Sequence, residues 1–264
     1  YHHGAQGSYQ LPDGSSILVN LESNPSHLEY VGPVVTGATR AAQTTRLGPH
    51  ARRDVASAVP IVLHGDAALP AQGVVPETLN LQALDGYSVG GTLHLVPNNQ
   101  VGFTTDPEDA RSTRWASDLA KGYDTPIIHV NADDVAACIH AVRLAFAFRQ
   151  EFGHDVVIDL IGYRRYGHNE ADEPAYTQPE MAAIIKNKTP VRELFAAQLR
   201  AQHAVSEPGE LRVGPSAAVR GVGQLEDQVI APLRVGHVGD VRRQQVLDRR
   251  PFSEAGLVGG RSAM

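Results

Sequence analysis

Short apolar runs recur along the chain and alternate with stretches of helical periodicity. Four of these runs have the length of a strand, at residues 59–64, 92–96, 126–130 and 156–161. Strands that are apolar throughout are typical of a parallel sheet that is buried on both faces by crossover helices. The pattern therefore predicts an α/β fold with a doubly wound, mostly parallel sheet and helices on both faces. A fifth apolar run, at 17–19, predicts one more strand.

Helical spacing and capping residues predict where the helices lie. One helix is expected over residues 73–84. A second is expected to be capped by Asp133 or Asp134 and to end at Gly153. Its buried face is predicted from apolar residues at helical spacing, namely Val135, Cys138, Ile139, Val142 and Phe146. Pro25 and Ser26 are residue types that can open a third helix.

The last quarter of the chain has a different composition. Residues 201–264 contain one aromatic residue, no lysine and eight arginines, with weak helical periodicity near 229–235 and 241–247. We therefore divide the chain into residues 1–200 and residues 201–264. The second segment is a linker, a poorly packed extension or an out-of-frame translation. The chain also begins with Tyr1 in place of an initiator Met, which predicts that it is a piece of a longer protein.

Composition limits the class of protein. The 264 residues are 42% hydrophobic and 20% charged, as in soluble globular proteins. The net charge of −6 argues against sequence-independent binding to nucleic acid. Cys138 is the single cysteine, which excludes an intramolecular disulfide and fits a reducing compartment. Since no apolar run approaches the roughly 18 residues of a membrane span, we expect a cytoplasmic protein with neither nucleic acid nor membrane as a partner.

Asp66 and Asn99 follow two consecutive predicted strands and lie 33 residues apart, about the length of one right-handed crossover unit. If those strands are neighbours, both side chains meet at the carboxyl edge of the sheet, where α/β proteins bind ligands. Oxygen ligands of this kind suit Mg²⁺ with a bound diphosphate, and Ala67 and Ala68 leave the backbone open to approach. The alternatives are an ordinary turn and loop, or a zinc site that includes His64, which no close ligand pair supports.

Histidine is abundant, with 12 residues. Imidazole groups titrate near neutral pH, so several of them together can hold an anionic substrate and move protons. The candidates for such a site are His2, His3, His27, His64 and His168. A surface or hydrogen-bonded core position is the alternative for any single histidine, and we expect it for His94, His129, His140 and His154.

Six segments are specific enough to indicate a family. In order and spacing they resemble the E1 component of 2-oxoglutarate dehydrogenase, a thiamine-diphosphate enzyme that bacteria also carry within fused 2-oxoglutarate decarboxylases. The segments are residues 24–29 (NPSHLE), 64–68 (HGDAA), 72–75 (QGVV), 77–80 (ETLN), 98–105 (NNQVGFTT) and 163–170 (YRRYGHNE). The resemblance runs from residue 1 to about residue 200 and implies the diphosphate-binding domain of the thiamine-diphosphate fold.

The resemblance implies thiamine diphosphate and Mg²⁺ as cofactors and gives roles to particular positions. The residues implied to bind the cofactor are Leu28, Asp66, Ala67, Ala68 and Asn99. The implied ligands of Mg²⁺ are Asp66, Asn99 and the backbone carbonyl of Val101. The residues implied to bind 2-oxoglutarate are His2 and Ser26, and the histidines implied to act in catalysis are His2, His27, His64 and His168.

The activity implied by the resemblance is oxidative decarboxylation of 2-oxoglutarate, through an enamine of thiamine diphosphate, in the tricarboxylic-acid cycle. The implied partners are a lipoyl-bearing E2 succinyltransferase, which accepts the succinyl unit, and a second copy of the chain in a homodimer. Family members have further domains, one of which supplies a glutamate for the aminopyrimidine ring. We therefore expect this chain alone to be inactive.

Two other functions remain open from the sequence. One is a different thiamine-diphosphate enzyme, such as a transketolase or a pyruvate-type E1. The histidine-rich segments around Ser26 and His168 favour a dicarboxylic oxoacid over the substrates of those enzymes. The other is a module that keeps the fold without catalysis, because the chain has no segment that matches the missing glutamate.

Overall fold

The structure is a computed structural model, which describes residues 2–202 of the chain. The chain divides into one compact unit, Tyr1–Gln198, and a second unit, Leu199–Met264. The predictions for residues 201–264, including the two weak helices, lie outside the described residues apart from the first two positions. None of the helices in the described part combines the length and the apolar character needed to cross a membrane.

An antiparallel hairpin and a helix precede the main sheet. Strands β1 (Ala5–Gln10) and β2 (Ser16–Leu21) pair with each other, and all of their residues are exposed. Helix α1 (Val31–Ala42) follows, and then the two-residue strands β3 (Thr44–Thr45) and β4 (Arg52–Arg53), which pair antiparallel. The predicted early strand therefore exists, but it belongs to the hairpin and not to the parallel sheet.

A four-stranded parallel sheet forms the centre of the first unit. Its strands, in the order β5-β6-β8-β7, are β5 (Ile61–Leu63), β6 (Leu93–Asn98), β7 (Ile127–Asn131) and β8 (Val156–Ile161). Each strand lies largely within one of the four apolar runs. Pro97 has no backbone N–H to donate. It is tolerated in β6 because β5 ends at Leu63, opposite Leu95, so no carbonyl of β5 requires a hydrogen bond from position 97.

Helices cover both faces of this sheet. Those in the two apolar cores are α2 (Val74–Leu81) and a 3-10 helix (Ala116–Tyr123) on one face and α4 (Val135–Phe152) on the other. The further helical segments are α3 (Pro107–Ala110), a short 3-10 turn (Pro174–Tyr176), α5 (Pro179–Asn187) and α6 (Val191–Ala201). The predicted caps of α4 are confirmed. The Asp134 carboxylate accepts a hydrogen bond of 2.9 Å from the backbone N–H of Ala137, and Gly153 ends the helix with a φ of 65°. Pro76 lies in the first turn of α2, where its missing N–H does no harm.

Two apolar clusters pack on opposite faces of the sheet. Val96 of β6 and Val157 of β8 belong to the cluster beneath α2 and the longer 3-10 helix. Leu93 and Ile158 point the other way and join the cluster beneath α4. Alternate residues of the same strands therefore enter different cores, as expected for strands that are apolar throughout. The predicted fold class, a parallel sheet with helices on both faces, is confirmed.

Two details of the predicted helices are wrong. The buried residues of α4 are Ala141, Ala145 and Arg149, whereas Val142 is 46% and Phe146 is 41% exposed. A stripe of alanines lets the helix backbone approach the strands, so the larger apolar residues turn away from the sheet. The residues Pro25 and Ser26 do not open a helix either. Helix α1 begins only at Val31, after Glu29 adopts a left-handed φ of 70° that no helix can contain.

A buried clamp closes the sheet at the amino ends of its strands. The Nε of Arg149 donates a hydrogen bond of 2.7 Å to the carbonyl of Gly91, and its Nη2 lies 3.3 Å from the carbonyl of Val89. The side-chain amide of Gln43 donates to the same Val89 carbonyl at 2.9 Å. Both side chains are 2% exposed, so the clamp stabilises connecting loops that have no secondary structure of their own.

Candidate functional site

Asp66 lies in the loop that follows β5, at the carboxyl edge of the sheet. It is 3% exposed, and the backbone N–H of Asn99, in the loop that follows β6, helps to lower the pKa of its carboxyl group. Because β5 and β6 are adjacent parallel strands, their following loops meet at one edge. The expected convergence of Asp66 and Asn99 is therefore present in the structure.

The loop after β6 has an unusual backbone. Gln100 and Phe103 adopt left-handed φ values of 62° and 55°, which side-chain-bearing residues rarely do. The amide oxygen of Asn99 accepts a hydrogen bond of 3.1 Å from the N–H of Val101, which holds the turn. Such conformations persist only where neighbouring structure enforces them, and they cluster at ligand-binding sites.

The loops after β5 and β6 pack directly on each other. A Cβ placed on Gly102 would lie 2.7 Å from the Cβ of Ala67, so any larger residue at position 102 would push the loops apart. This contact leaves small side chains, Ala67 and Ala68, along the edge where the loops meet. The predicted open approach to the backbone is therefore compatible with the packing.

Arg111 is the most informative neighbour of Asp66, and sequence reasoning missed it. Its side chain is 7% exposed, and its Nη1 lies 3.5 Å from Oδ2 of Asp66. Neither Nη1 nor Nε has a hydrogen-bond partner. Burial raises the pKa of Asp66, and the Arg111 charge opposes that rise. Buried guanidinium N–H groups without hydrogen-bond acceptors cost stability. Arg111 is therefore suited to donate hydrogen bonds to an anion that binds next to Asp66.

The donor atoms at this edge fit Mg²⁺ better than zinc. Asp66 offers a carboxylate, Asn99 an amide oxygen with a second lone pair, and Val101 a backbone carbonyl, all of them hard oxygen ligands. Within residues 2–202, no three side chains of His, Cys, Asp or Glu come together as metal ligands. The zinc alternative with His64 therefore gains no support.

His64 is buried, and both of its ring nitrogens are engaged inside the protein. Nδ1 lies 2.5 Å from Oε2 of Glu29, and Nε2 lies 2.8 Å from Nδ1 of His94. Burial lowers the pKa of His64, and the hydrogen bond to the Glu29 carboxylate opposes that effect. His64 therefore lies only two positions before Asp66 in the sequence, but neither of its ring nitrogens is free to contact a substrate directly.

The candidate substrate residues lie in an exposed part of the chain. Ser26 and His27 are exposed, Leu28 is 58% exposed, and all three precede α1 in a segment without secondary structure. His2 reaches this segment through a contact of 2.5 Å between its Nδ1 and the carbonyl of Asn24. The structure thus brings His2 and the Ser26 segment together on the surface.

His168 lies in the loop that follows β8 and is exposed. Its ring meets the ring of Phe103 edge-on at 6.0 Å between centroids, which connects it to the loop after β6. The histidines expected to be structural behave in two ways. His94 and His129 are hydrogen-bonded to Asp155 and Asp159, and His140 and His154 are exposed.

A second buried carboxylate supports the loop after β6. Asp159 is fully buried and accepts hydrogen bonds from the side-chain amide of Asn98 at 3.1 Å and from the hydroxyl of Ser117 at 2.8 Å. Nδ1 of His129 lies 3.1 Å from the same carboxylate. Sequence reasoning read Asp159 only as part of an apolar strand, and no local signal distinguished it.

Comparison with known proteins gives a consistent result. A family model described as "Dehydrogenase E1 component" matches residues 3–217. The chain is 50% identical over 208 residues to a 2-oxoglutarate dehydrogenase E1 component from Bacillus velezensis, which is 78% of this chain and 22% of that protein. It is 46% identical over 249 residues to the protein of that name from Geobacillus kaustophilus, covering 94% of this chain and 25% of the relative.

These comparisons also show how much of this chain, and how much of its relatives, is similar. The family match extends past residue 200, where the resemblance was expected to stop, and reaches residue 217. A relative of the same name from Geobacillus sp. WCH70 is 53% identical over 200 residues, 75% of this chain and 21% of the relative. The chain therefore spans between a fifth and a quarter of the length of these relatives.

Proposed function

The chain belongs to the family of dehydrogenase E1 components, and from this premise we propose that it is the diphosphate-binding part of a 2-oxoglutarate dehydrogenase E1. The observation that carries the proposal is the buried pair at the sheet edge. Asp66 forms an ion pair with the guanidinium of Arg111, whose Nη1 and Nε make no hydrogen bond. A metal–diphosphate complex needs a carboxylate that binds the metal ion and a cationic side chain that binds the diphosphate. Asp66 and Arg111 provide these two groups side by side.

The proposed cofactors are thiamine diphosphate and Mg²⁺. Asp66, Asn99 and the carbonyl of Val101 would hold the metal, and the N–H groups of Arg111 would donate hydrogen bonds to the diphosphate oxygens. Leu28, Ala67 and Ala68 would contact the cofactor, together with Asp66 and Asn99. When bound, thiamine diphosphate supplies the nucleophilic carbon and the electron sink for decarboxylation.

The chain's own residues would bind and orient the oxoacid and move protons. His2 and Ser26 are proposed to bind 2-oxoglutarate, because they share an exposed segment held by the His2 contact with Asn24. His27 and His168 are exposed imidazoles that can exchange protons with a bound substrate. His64 would act differently from the earlier expectation. With both nitrogens occupied, it can influence the site only through Glu29 and His94.

The partners proposed for the whole protein are a lipoyl-bearing E2 succinyltransferase and a second copy of the chain. This chain spans only 22–25% of the length of two of its relatives. We therefore propose that cofactor binding is retained here, while decarboxylation requires the remainder of the whole protein.

Binding of the cofactor by this chain tests the proposal directly. We expect thiamine diphosphate with Mg²⁺ to raise the free energy of unfolding by about 2.7 kcal/mol at a hundredfold excess over Kd. Neither compound alone should do so. Asp66→Ala should lower the affinity by more than the roughly 10- to 100-fold typical of residues that only support metal ligands.

Asp13→Ala is the matched control, since Asp13 is an exposed carboxylate in the hairpin turn. Equal stabilisation of the wild type and Asp66→Ala would exclude the metal assignment. A longer protein that includes the further domains should release CO₂ from 2-oxoglutarate and not from pyruvate. Preference for pyruvate would instead favour a pyruvate-type E1.

A further inference from the structure

Asn98, the last residue of β6, connects the neighbouring strand to the turn that follows it. Its side chain is buried, and the residue is 1% exposed. The Nδ2 group donates a hydrogen bond of 3.1 Å to Oδ1 of Asp159 in β8. The Oδ1 atom accepts one of 3.2 Å from the backbone N–H of Gln100. A single amide therefore joins a carboxyl group of the sheet to the backbone of the turn.

The direction of both hydrogen bonds is fixed at the backbone end. A backbone N–H can only donate, so the oxygen of the Asn98 amide must face Gln100 and its NH2 group must face Asp159. The reversed amide would set two donors against each other at Gln100. This assignment depends on no titrating group, because an amide does not titrate and a carboxyl group keeps an acceptor oxygen in either of its forms.

The turn that Asn98 holds carries two of the proposed metal ligands. Gln100 lies between Asn99 and Val101 and has a left-handed φ of 62°, which residues with a side chain rarely adopt. Its own side-chain amide donates a hydrogen bond of 2.8 Å to the carbonyl of Gly162, directly after β8. Such a conformation persists only where its surroundings enforce it. Here the enforcing contacts come from Asn98 and from the end of β8.

Asp159 is a rigid anchor for this arrangement. It is fully buried, and its Oδ2 accepts a hydrogen bond of 2.8 Å from the Ser117 hydroxyl and lies 3.1 Å from Nδ1 of His129. These contacts come from the longer 3-10 helix and from β7, and they leave Oδ1 for the amide of Asn98. The carboxyl group cannot turn away from Asn98 without losing them.

We propose that Asp159 is a positioning residue. Through the amide of Asn98 it fixes the left-handed turn at Gln100, and it thereby sets the side chain of Asn99 and the carbonyl of Val101 before a metal ion binds. The benefit for Mg²⁺ binding rests on the proposed function, whereas the conformation of the turn does not.

Hydrogen–deuterium exchange of the Gln100 backbone amide, followed by NMR in the whole chain without metal or cofactor, tests the first part. The amide should be protected in the wild type. Asp159→Leu keeps a similar shape but has no acceptor, so exchange should become about tenfold faster, as expected for the loss of one hydrogen bond. Asp159→Asn keeps an acceptor oxygen and should restore protection. Ser117→Ala is the matched control, since it removes a hydrogen bond from the other oxygen of Asp159 and should leave Gln100 unchanged.

Binding of Mn²⁺ with thiamine diphosphate, measured by electron paramagnetic resonance of the free ion, tests the second part. Asp159→Leu and Asn98→Ala should each weaken Mn²⁺ binding by about 10- to 100-fold, as residues that support metal ligands do. Because the two side chains act in series, the double variant should lose no more than either single variant. Asp159→Asn and Ser117→Ala should bind Mn²⁺ like the wild type.

Three results would overturn the proposal. The first is an unprotected Gln100 amide in the wild type, which requires no variant to fold. The second is unchanged Gln100 exchange in Asp159→Leu or, if that chain does not fold, in Asn98→Ala. The third is a double variant whose losses in Mn²⁺ affinity add. A wild type that binds no Mn²⁺ would count against the proposed function, while Gln100 exchange would still decide whether Asp159 holds the turn.

Discussion

The carboxyl edge of the parallel sheet and the N-terminal segment before α1 differ in how their polar groups are held. At the sheet edge, Asp66 is 3% and His64 is 6% exposed, and both have named partners. In the N-terminal segment every residue of strands β1 and β2 is exposed, as are Ser26 and His27. The half of the candidate site that would bind metal and diphosphate is therefore built by the sheet, while the half that would bind substrate lies on the surface.

The difference follows from topology. Adjacent parallel strands bring their following loops to one edge, so the sheet core itself places Asp66 beside Asn99. A two-stranded hairpin buries little, and β2 leaves Ile17 50%, Leu18 62% and Val19 53% exposed. Such hairpins are marginally stable by themselves. The two halves of the candidate site therefore differ in whether their polar groups are buried and hydrogen-bonded, more than in how near their residues lie in the sequence. Four substitutions test this difference.

Arg149→Met should have the largest effect. It removes the Arg149 side-chain donor from the carbonyl of Gly91, leaves the Val89 carbonyl with Gln43 as its side-chain donor, and removes the positive charge beside Asp155. Breaking a buried charged network in this way typically destabilises by about 3–5 kcal/mol. Urea denaturation of the chain measures this loss as a lower transition midpoint.

Two controls place that loss in the sheet. Leu18→Ala changes an exposed apolar residue of the hairpin and should alter stability by no more than about 0.5 kcal/mol. Arg192→Met removes an arginine whose side chain is 83% exposed and should be equally mild. A hairpin substitution as damaging as Arg149→Met would show that the N-terminal segment is not the weakly held region described above.

Arg111→Met should weaken binding of thiamine diphosphate and of inorganic pyrophosphate by about tenfold, the effect of one lost charge-assisted hydrogen bond. Thiamine without phosphate should bind the variant and the wild type equally. Calorimetric titration of the three compounds, each with Mg²⁺, separates these expectations. Arg114→Met is the control, because Arg114 is exposed and lies over the Trp115 ring, 4.9 Å from its centroid. Unchanged pyrophosphate affinity in Arg111→Met would contradict a role for Arg111 in holding the anion.

Much of the sheet could be predicted because its buried strands appear in the sequence as apolar runs that alternate with helical periodicity. The four apolar runs contain the parallel strands, and Asp134 and Gly153 cap α4 as expected. The buried face of α4 was misplaced because its alanines carry less hydrophobic signal than Val142 and Phe146, which are partly exposed.

The polar part of the site could be predicted only where chain topology determines it. Asp66 and Asn99 were placed correctly because each follows a strand. Arg111 and Asp155 were missed because their partners are distant in sequence. A hydrogen bond between residues 29 and 64, or between 94 and 155, has no local spacing that a sequence could display.

Asp118 in the 3-10 helix and Asp13 in the hairpin both accept a hydrogen bond from a nearby backbone N–H. The pH dependence of the stability that each contributes should nevertheless differ in size. Asp118 is half-buried, and this partial burial raises its pKa, but its hydrogen bonds from Lys121 and from the Trp115 N–H prevail, so the net pKa is lowered from 3.8. A lowered pKa means that Asp118 adds stability above pH 3.8 and loses it as the pH falls through the lower value. Asp118→Asn should therefore cost about 0.5–1 kcal/mol at pH 7. The difference should vanish near pH 2.

Asp13→Asn is the counterpart in the hairpin. The Ser15 hydroxyl and N–H lower the pKa of Asp13, so the direction of the pH effect is the same, but the group is fully exposed. Urea denaturation at pH 7 and pH 2 should show a clear pH-dependent loss for Asp118→Asn and a smaller one for Asp13→Asn. An equal loss in both variants would mean that burial does not separate the two regions.

The smallest effect is expected for His27→Ala, and it tests the boundary between the two halves of the site. His27 is exposed, and its described ring contact is with Tyr30, 4.6 Å away between centroids. Cofactor affinity of the chain should therefore stay within about twofold of wild type, or 0.4 kcal/mol. Glu29→Gln, two residues further along, changes a side chain that is 4% exposed and contacts His64, so it is the informative partner variant.

Calorimetric titration with thiamine diphosphate and Mg²⁺ compares the two variants under the same conditions. If the buried contact of Glu29 is what couples this segment to the sheet edge, Glu29→Gln should lower the affinity more than His27→Ala does. A loss in His27→Ala as large as that of Arg111→Met would show that exposure does not mark the boundary. The metal–diphosphate half would then extend into the N-terminal segment, and the substrate half would begin nearer to His2.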